Sequence, residues 1–244
     1  MQTVINDLLI NYEFVNQKSK NNLIILHGWG RNLNDWKNFA NQLTKQNTYL
    51  IDLPGFGNST YSPKLQNSQD YINIVDKFIY KLEINNISIL GHSYGGKLAT
   101  LLTSQNQSIN KLIIVASPGV EKKSFLATIK IVIFKILKHI KYFLPNKLNY
   151  KIFTFLATSD YQNSGQLRSL FKNIIKEDII NDLKKIKTDT LIIWGDKDDQ
   201  ISVANSKIFR RNIKNSIIRI VWGAGHHPHL DKPKFFLEIV DNFL

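Results

Sequence analysis

Gly91-His92-Ser93-Tyr94-Gly95 sets a serine between two glycines, directly after the apolar run 87–90 and directly before a helical pattern. A serine on such a strand-to-helix turn sits on strained backbone above the sheet edge, and the N-terminus of the next helix faces the reacting centre. A hydroxyl is a weak nucleophile until a base takes its proton. The candidate base lies in Gly223-Ala224-Gly225-His226-His227-Pro228-His229, where the glycines before His226 allow close backbone approach. His227 and His229 read as groups that flank or cap the site. A carboxylate must orient the imidazole, and Gly195-Asp196-Lys197-Asp198-Asp199 offers three. Asp198 has the best reach over the sheet edge, while Asp196 and Asp199 read as turn formers or solvated charges. Acyl transfer also needs donors for an oxyanion. In His27-Gly28-Trp29-Gly30 the glycines permit a turn that aims the N–H of Trp29 opposite that of Tyr94, with His27 structural. The histidine cluster does not imply zinc, because consecutive histidines cannot easily both point at one ion. No metal and no cofactor are expected.

Those side chains need a scaffold that brings distant segments to one edge. Short apolar runs at 23–26, 48–52, 87–90, 112–116, 191–194 and 217–221 alternate with helical patterns at 35–45, 69–82, 96–104, 203–211 and 233–243. This is the pattern of a mostly parallel sheet with helices on both faces, an α/β fold. The first fifteen residues read as an antiparallel pair at one edge. Between residues 116 and 191 no strand-like run occurs, and so long a loop without structure is improbable in a compact domain. The interval is expected to be helical, over 125–144, 150–157 and 166–187. In the first stretch Lys130, Lys135, Lys138 and Lys141 fall within about 140° of a helical wheel, and Pro145 ends it.

Composition bounds the partners. The 244 residues are 43% hydrophobic and contain no cysteine, which excludes a disulfide framework or thiolate chemistry and permits one sizeable core. The longest unbroken apolar run is five residues, 112–116, far short of a membrane span of about 20. The N-terminus carries no secretory pattern, so a cytoplasmic location is expected. The net charge of +13 attracts any anionic partner. Yet 27 Lys stand against 5 Arg, beside 34 Ile and 26 Asn, a composition expected of AT-rich coding. Nucleic-acid readers lean on Arg, so nucleic acid is not an expected partner. Part of the charge is local: residues 121–157 hold eight Lys and one Glu.

In their chain order these segments resemble the α/β-hydrolase superfamily. The likeness rests on 23–30, with Trp36 downstream, on Asp52-Leu-Pro-Gly-Phe-Gly-Asn-Ser59, on Gly91-His-Ser-Tyr-Gly-Gly96, on Trp194-Gly-Asp-Lys-Asp198 and on Gly225-His226. The resemblance implies an eight-stranded α/β-hydrolase core over 1–118 and 189–244 with a helical cap over 119–188. It implies Ser93 as nucleophile, Asp198 as acid, His226 as base, and the amides of Trp29 and Tyr94 as oxyanion donors. Ser93 speaks against the family's dehalogenases and epoxide hydrolases, which carry Asp there, and leaves its cofactor-free haloperoxidases and perhydrolases open. A finer likeness, including Val115-Ala-Ser-Pro118, is to the methyl ester esterases that act on a pimeloyl group carried by acyl carrier protein. Those usually have Trp and Leu around the nucleophile, where this chain has His92 and Tyr94.

The expected function is therefore a monomeric serine hydrolase that cleaves carboxylic esters of a medium, largely apolar acyl group. Trp29, Tyr94, Phe125, Ile129, Phe134 and Phe143 are the expected substrate wall, with Ile133 beside them. A basic cap suits an acidic acyl carrier protein or an anionic membrane surface. The alternatives are a carbon–carbon bond hydrolase of vinylogous diketones with the same triad, and a non-catalytic binding module on the same scaffold.

Overall fold

The computed structural model describes residues 1–120 and 164–244. Eight strands form one sheet in the order β1-β2-β4-β3-β5-β6-β7-β8. β1 (Gln2–Ile5) and β2 (Leu8–Val15) make a hairpin whose two-residue turn, Asn6-Asp7, has positive φ at both positions, the geometry that matches strand twist. β2 runs antiparallel to β4 (Asn47–Ile51). From there every pairing is parallel, through β3 (Asn22–Leu26), β5 (Ile87–His92), β6 (Ile109–Val115), β7 (Asp189–Gly195) and β8 (Ser216–Val221). The central strands are covered on both faces, so they read as continuous apolar runs rather than alternating ones: every residue of β5 and all but the first of β7 are buried.

Helices supply that cover. α1 (Asn34–Gln42) and α8 (Pro233–Phe243), which follows the short α7 (Pro228–Asp231), meet through Trp36, Phe39 and Phe236. The second layer holds α2 (Ser68–Lys81), α3 (Tyr94–Gln105), α5 (Ile180–Leu183) and α6 (Ala204–Asn212). α2 starts at a capping box, in which the Asn67 side chain accepts from the Asp70 N–H and the Asp70 carboxylate accepts from the Asn67 N–H. Its apolar stripe, Tyr71, Ile72, Ile74, Val75, Phe78 and Ile79, is buried. α1 stops at Gln42, short of the expected residue 45, because Leu43 turns extended and is fully buried.

The stretch expected as helix over 166–187 is broken. A 3₁₀ turn, Gly165–Leu167, leads into α4 (Arg168–Ile174), and the chain leaves the helix before α5. The cause is the ammonium of Lys97 on α3, 2% exposed, which donates to the carbonyls of Ile174 and Glu177 at 2.6 and 3.2 Å and pairs with the Glu177 carboxylate at 2.9 Å. Glu177 also accepts from the Ser68 N–H and hydroxyl, and the N–H of Ile179 donates to the carbonyl of Gly119. Leu170, Ile174, Ile179, Leu183 and Ile186 belong to the same core as the sheet. Among the described residues, no helix is long and apolar enough to cross a membrane.

Candidate active site

Ser93 joins β5 to α3 with φ 51° and ψ −120°, a sparsely populated region costing about 1–3 kcal/mol that surrounding structure must hold in place. The holding is steric. A Cβ on Gly91 would run into the backbone of Gly95, and one on Gly95 into the carbonyls of Leu26 and His27. The N–H of Ser93 donates to the carbonyl of Val115 at 2.8 Å. Tyr94 is the first residue of α3, so its N–H has no carbonyl one turn earlier in the helix to bond.

The candidate base and candidate carboxylate meet across two loops. His226 Nδ1 donates to Asp198 Oδ2 at 2.9 Å, and the two side chains are 4% and 0% exposed. The other carboxylate oxygen, Asp198 Oδ1, accepts from the N–H groups of Gln200 and Ile201, each at 2.9 Å. With Nδ1 carrying the proton, Nε2 of a neutral His226 is left as the acceptor. The loops interlock through backbone: Lys197 N–H donates to the Ala224 carbonyl, and a Cβ on Gly195 would strike the carbonyls of Ala224 and Gly225. Ser93, His226, Gly28 and Trp29 all line one cavity of about 550 Å³.

The turn that carries Trp29 is fixed from below. His27 Nδ1 donates to the Gly28 carbonyl at 2.7 Å and Nε2 accepts from the Leu53 N–H at 3.0 Å, so this buried ring is structural; burial lowers its pKa. Asp52 Oδ1 accepts from the Leu33 N–H, and Oδ2 from the Asn58 N–H and the Asn11 side chain. Gly57, with φ 53°, lies so close to that carboxylate that no side chain fits.

A family model described as the alpha/beta hydrolase fold matches residues 21–143, half of the chain. The chain belongs to the α/β-hydrolase family. Over 91% of its length it is 29% identical to the pimeloyl-[acyl-carrier protein] methyl ester esterase of Wigglesworthia glossinidia brevipalpis, covering 93% of that protein. A Mycoplasma genitalium protein named only by class, as an esterase/lipase, is 24% identical, with 96% of this chain and 92% of that one covered. Among solved structures, the meta-cleavage product hydrolase CumD from Pseudomonas fluorescens IP01 superposes with a TM-score of 0.75 at 17% identity, covering all of this chain and 96% of that one, a likeness of fold. These sequence relatives place the chain among hydrolases of the esterase/lipase type.

Among the described residues, the lining of this cavity is mixed. Trp29, Phe56 and Leu167 share it with Arg31, Asn32, Gln166 and Gln200. Arg31 is held by Asp35 through Nε at 2.5 Å and Nη2 at 2.9 Å. Of the expected substrate wall, the Trp29 side chain stacks edge-on against Phe56 and Tyr94. The Tyr94 ring is buried between Trp29 and Tyr71 and is not among the described residues that line the cavity, so its side chain packs rather than walls it. Phe125, Ile129, Ile133, Phe134 and Phe143 lie outside the described residues, as does the basic stretch 121–157.

Around the base, four imidazoles gather: the ring of His92 lies 4.9 Å from those of His226 and His227 and 5.0 Å from that of His229. His229 stacks on Trp36 at 4.0 Å and 7°. Burial, then the neighbouring imidazoles and, for His229, the Arg31 guanidinium, hold His92 and His229 well below the ordinary histidine pKa, and burial lowers His227 in the same direction. Among the described residues, no group of three or more His, Asp or Glu is disposed to hold a metal ion. Asp196 accepts from the N–H of Gly223, 27 residues later, so it links the loop after β7 to the loop after β8 rather than closing a local turn. Sequence reasoning missed Asp231, whose Oδ2 accepts from the Gly225 N–H at 2.7 Å and fixes the residue before the base; its i+6 spacing from Gly225 matches no local motif.

Proposed function

We propose that the chain is a serine ester hydrolase working through an acyl-enzyme, with Ser93 as nucleophile, His226 as base and Asp198 as its orienting carboxylate. The observation that carries this reading is the buried His226–Asp198 hydrogen bond of 2.9 Å beside a cavity that Ser93 also lines at a left-handed turn. Ser93 Oγ attacks the ester carbonyl while His226 Nε2 takes its proton; the tetrahedral oxyanion is met by the N–H groups of Trp29 and Tyr94; His226 returns the proton to the leaving alkoxide, and water repeats the cycle. Asp198 keeps Nδ1 protonated and stabilises the imidazolium. Ser93→Ala is expected to cut turnover of p-nitrophenyl butyrate by about 10⁴-fold or more with an unchanged circular dichroism spectrum; undiminished hydrolysis would overturn the reading.

The finer substrate assignment is a carrier-protein-linked methyl ester of a medium acyl group, supported by the 29% identity to a pimeloyl-[acyl-carrier protein] methyl ester esterase. In this reading residues 119–188 act as a cap and the Lys-rich stretch 121–157 attracts the acidic carrier. Binding of acyl carrier protein that weakens steeply between low and high salt is the expected result, with anionic vesicles as the competing arm. A second reading has a specific observation behind it: the polar wall of Arg31, Asn32, Gln166 and Gln200, together with the fold shared with a meta-cleavage product hydrolase, suits a vinylogous diketone. Cleavage of such a diketone faster than of any ester in a chain-length series would favour it.

A further inference from the structure

We propose that His92 is a positioning residue that ties the loop of the base and the loop of the oxyanion donor to the nucleophile, through the hydrogen bond from its Nε2–H to the carbonyl oxygen of His226. The inference rests on the serine-hydrolase reading above and deepens it. His92 is the last residue of β5 and the neighbour of Ser93, so its backbone moves only with the nucleophile. Its side chain is 2% exposed, and Nε2 lies 2.8 Å from the carbonyl oxygen of His226. A carbonyl can only accept, which puts the ring proton on Nε2 and leaves Nδ1 bare. That Nδ1 edge packs against the turn before Trp29, where a Cβ on Gly28 would approach it to 2.9 Å. One imidazole therefore touches the two loops that flank Ser93, and it does so in its neutral form, since burial and the rings of His226, His227 and His229 all disfavour its protonation.

His92 contributes no atom to bond making. Its one proton is committed to a backbone acceptor. What it fixes is the carbonyl of the residue whose imidazole must reach Ser93 Oγ, and a misplacement of about 1 Å at a reacting pair can cost about 10²-fold in rate. Side chains that merely fill the space leave the His226 carbonyl buried without that donor.

The test separates donor from filler. His92→Phe keeps a ring and removes the donor; His92→Gln keeps an N–H donor and loses the ring. If the proposal holds, kcat for p-nitrophenyl butyrate falls about 10- to 100-fold in His92→Phe with KM within about twofold, and His92→Gln recovers most of the loss. The far-downfield proton resonance of the His226–Asp198 hydrogen bond, assigned by its disappearance in Asp198→Asn, broadens in His92→Phe and persists in His92→Gln. Equal kcat and an unaltered resonance in His92→Phe, or a loss in His92→Gln as large as in His92→Phe, would overturn it. Should His92→Phe fail to fold, His92→Leu, smaller and equally without a donor, takes its place. The resonance needs no substrate, so the role of His92 is decided even if Ser93→Ala retains full esterase activity and the parent reading falls.

Discussion

The two halves of the site are held by different means. On the nucleophile side, the constrained residues are consecutive in the span from β5 to α3, and the constraint is exclusion: glycines at 91 and 95 stand where any side chain would meet the backbone of Gly95 or of Leu26 and His27. On the acid–base side, Asp198 and His226 come from loops after two separate strands, β7 and β8, and the constraint is attraction, a relay of hydrogen bonds from Gln200 and Ile201 to Asp198 and from His226 to Asp198. A local steric device leaves its mark in consecutive residues. A relay between loops does not, because each partner is an ordinary polar residue until its counterpart arrives.

That contrast makes ordered predictions. Gly95→Ala should have the largest effect, since the new methyl meets the carbonyls of Leu26 and His27 in the middle of the sheet. No soluble folded protein is expected on expression; a well-folded variant would show that the elbow is looser than its backbone contacts imply. Asp198→Asn attacks the relay instead. It should leave the melting temperature within a few degrees while lowering ester kcat by about 10⁴-fold, because the amide favours the wrong tautomer of His226. Unaltered kcat would break the asymmetry between the two halves.

Lys97→Met probes how the nucleophile helix holds residues 174–177. Two carbonyls and the Glu177 carboxylate lose their buried donor, and chemical denaturation should show a loss of about 2–4 kcal/mol. The smallest effect of a single substitution concerns acid. His27, His92, His227 and His229 have folded-state pKa values below the ordinary 6.5, so below that pH the unfolded chain binds more protons than the folded one. Stability is then level above about pH 6.5 and falls as pH drops toward the folded values, by at most about 1.4 kcal/mol per pH unit for each histidine. His229→Phe, which keeps a ring on Trp36, should flatten that fall; thermal melts between pH 5 and 8 read it out.

Legibility in sequence followed the same division. The apolar runs at 23–26, 87–90 and 191–194 sit inside β3, β5 and β7, and α8 spans the residues expected of it, because a buried parallel strand and a proline-started amphipathic helix are local patterns. Asp198 could be preferred over its neighbours by reach alone. The break between α4 and α5 was hidden, since its cause is Lys97, about 80 residues earlier in the chain. Asp52 stood in a recognisable segment, but its work as acceptor for Leu33, Asn58 and Asn11 depends on loops that no spacing links. His92 registered only as a departure from relatives. Its hydrogen bond to the His226 carbonyl spans 134 residues, which no local pattern encodes.

The central claim is that an activated serine stands at residue 93. Incubation with a fluorophosphonate followed by peptide mass spectrometry tests it most directly. One adduct on Ser93 is predicted, absent in Ser93→Ala and formed orders of magnitude more slowly in His226→Ala; labelling at another residue, or an equal rate without His226, would contradict the account.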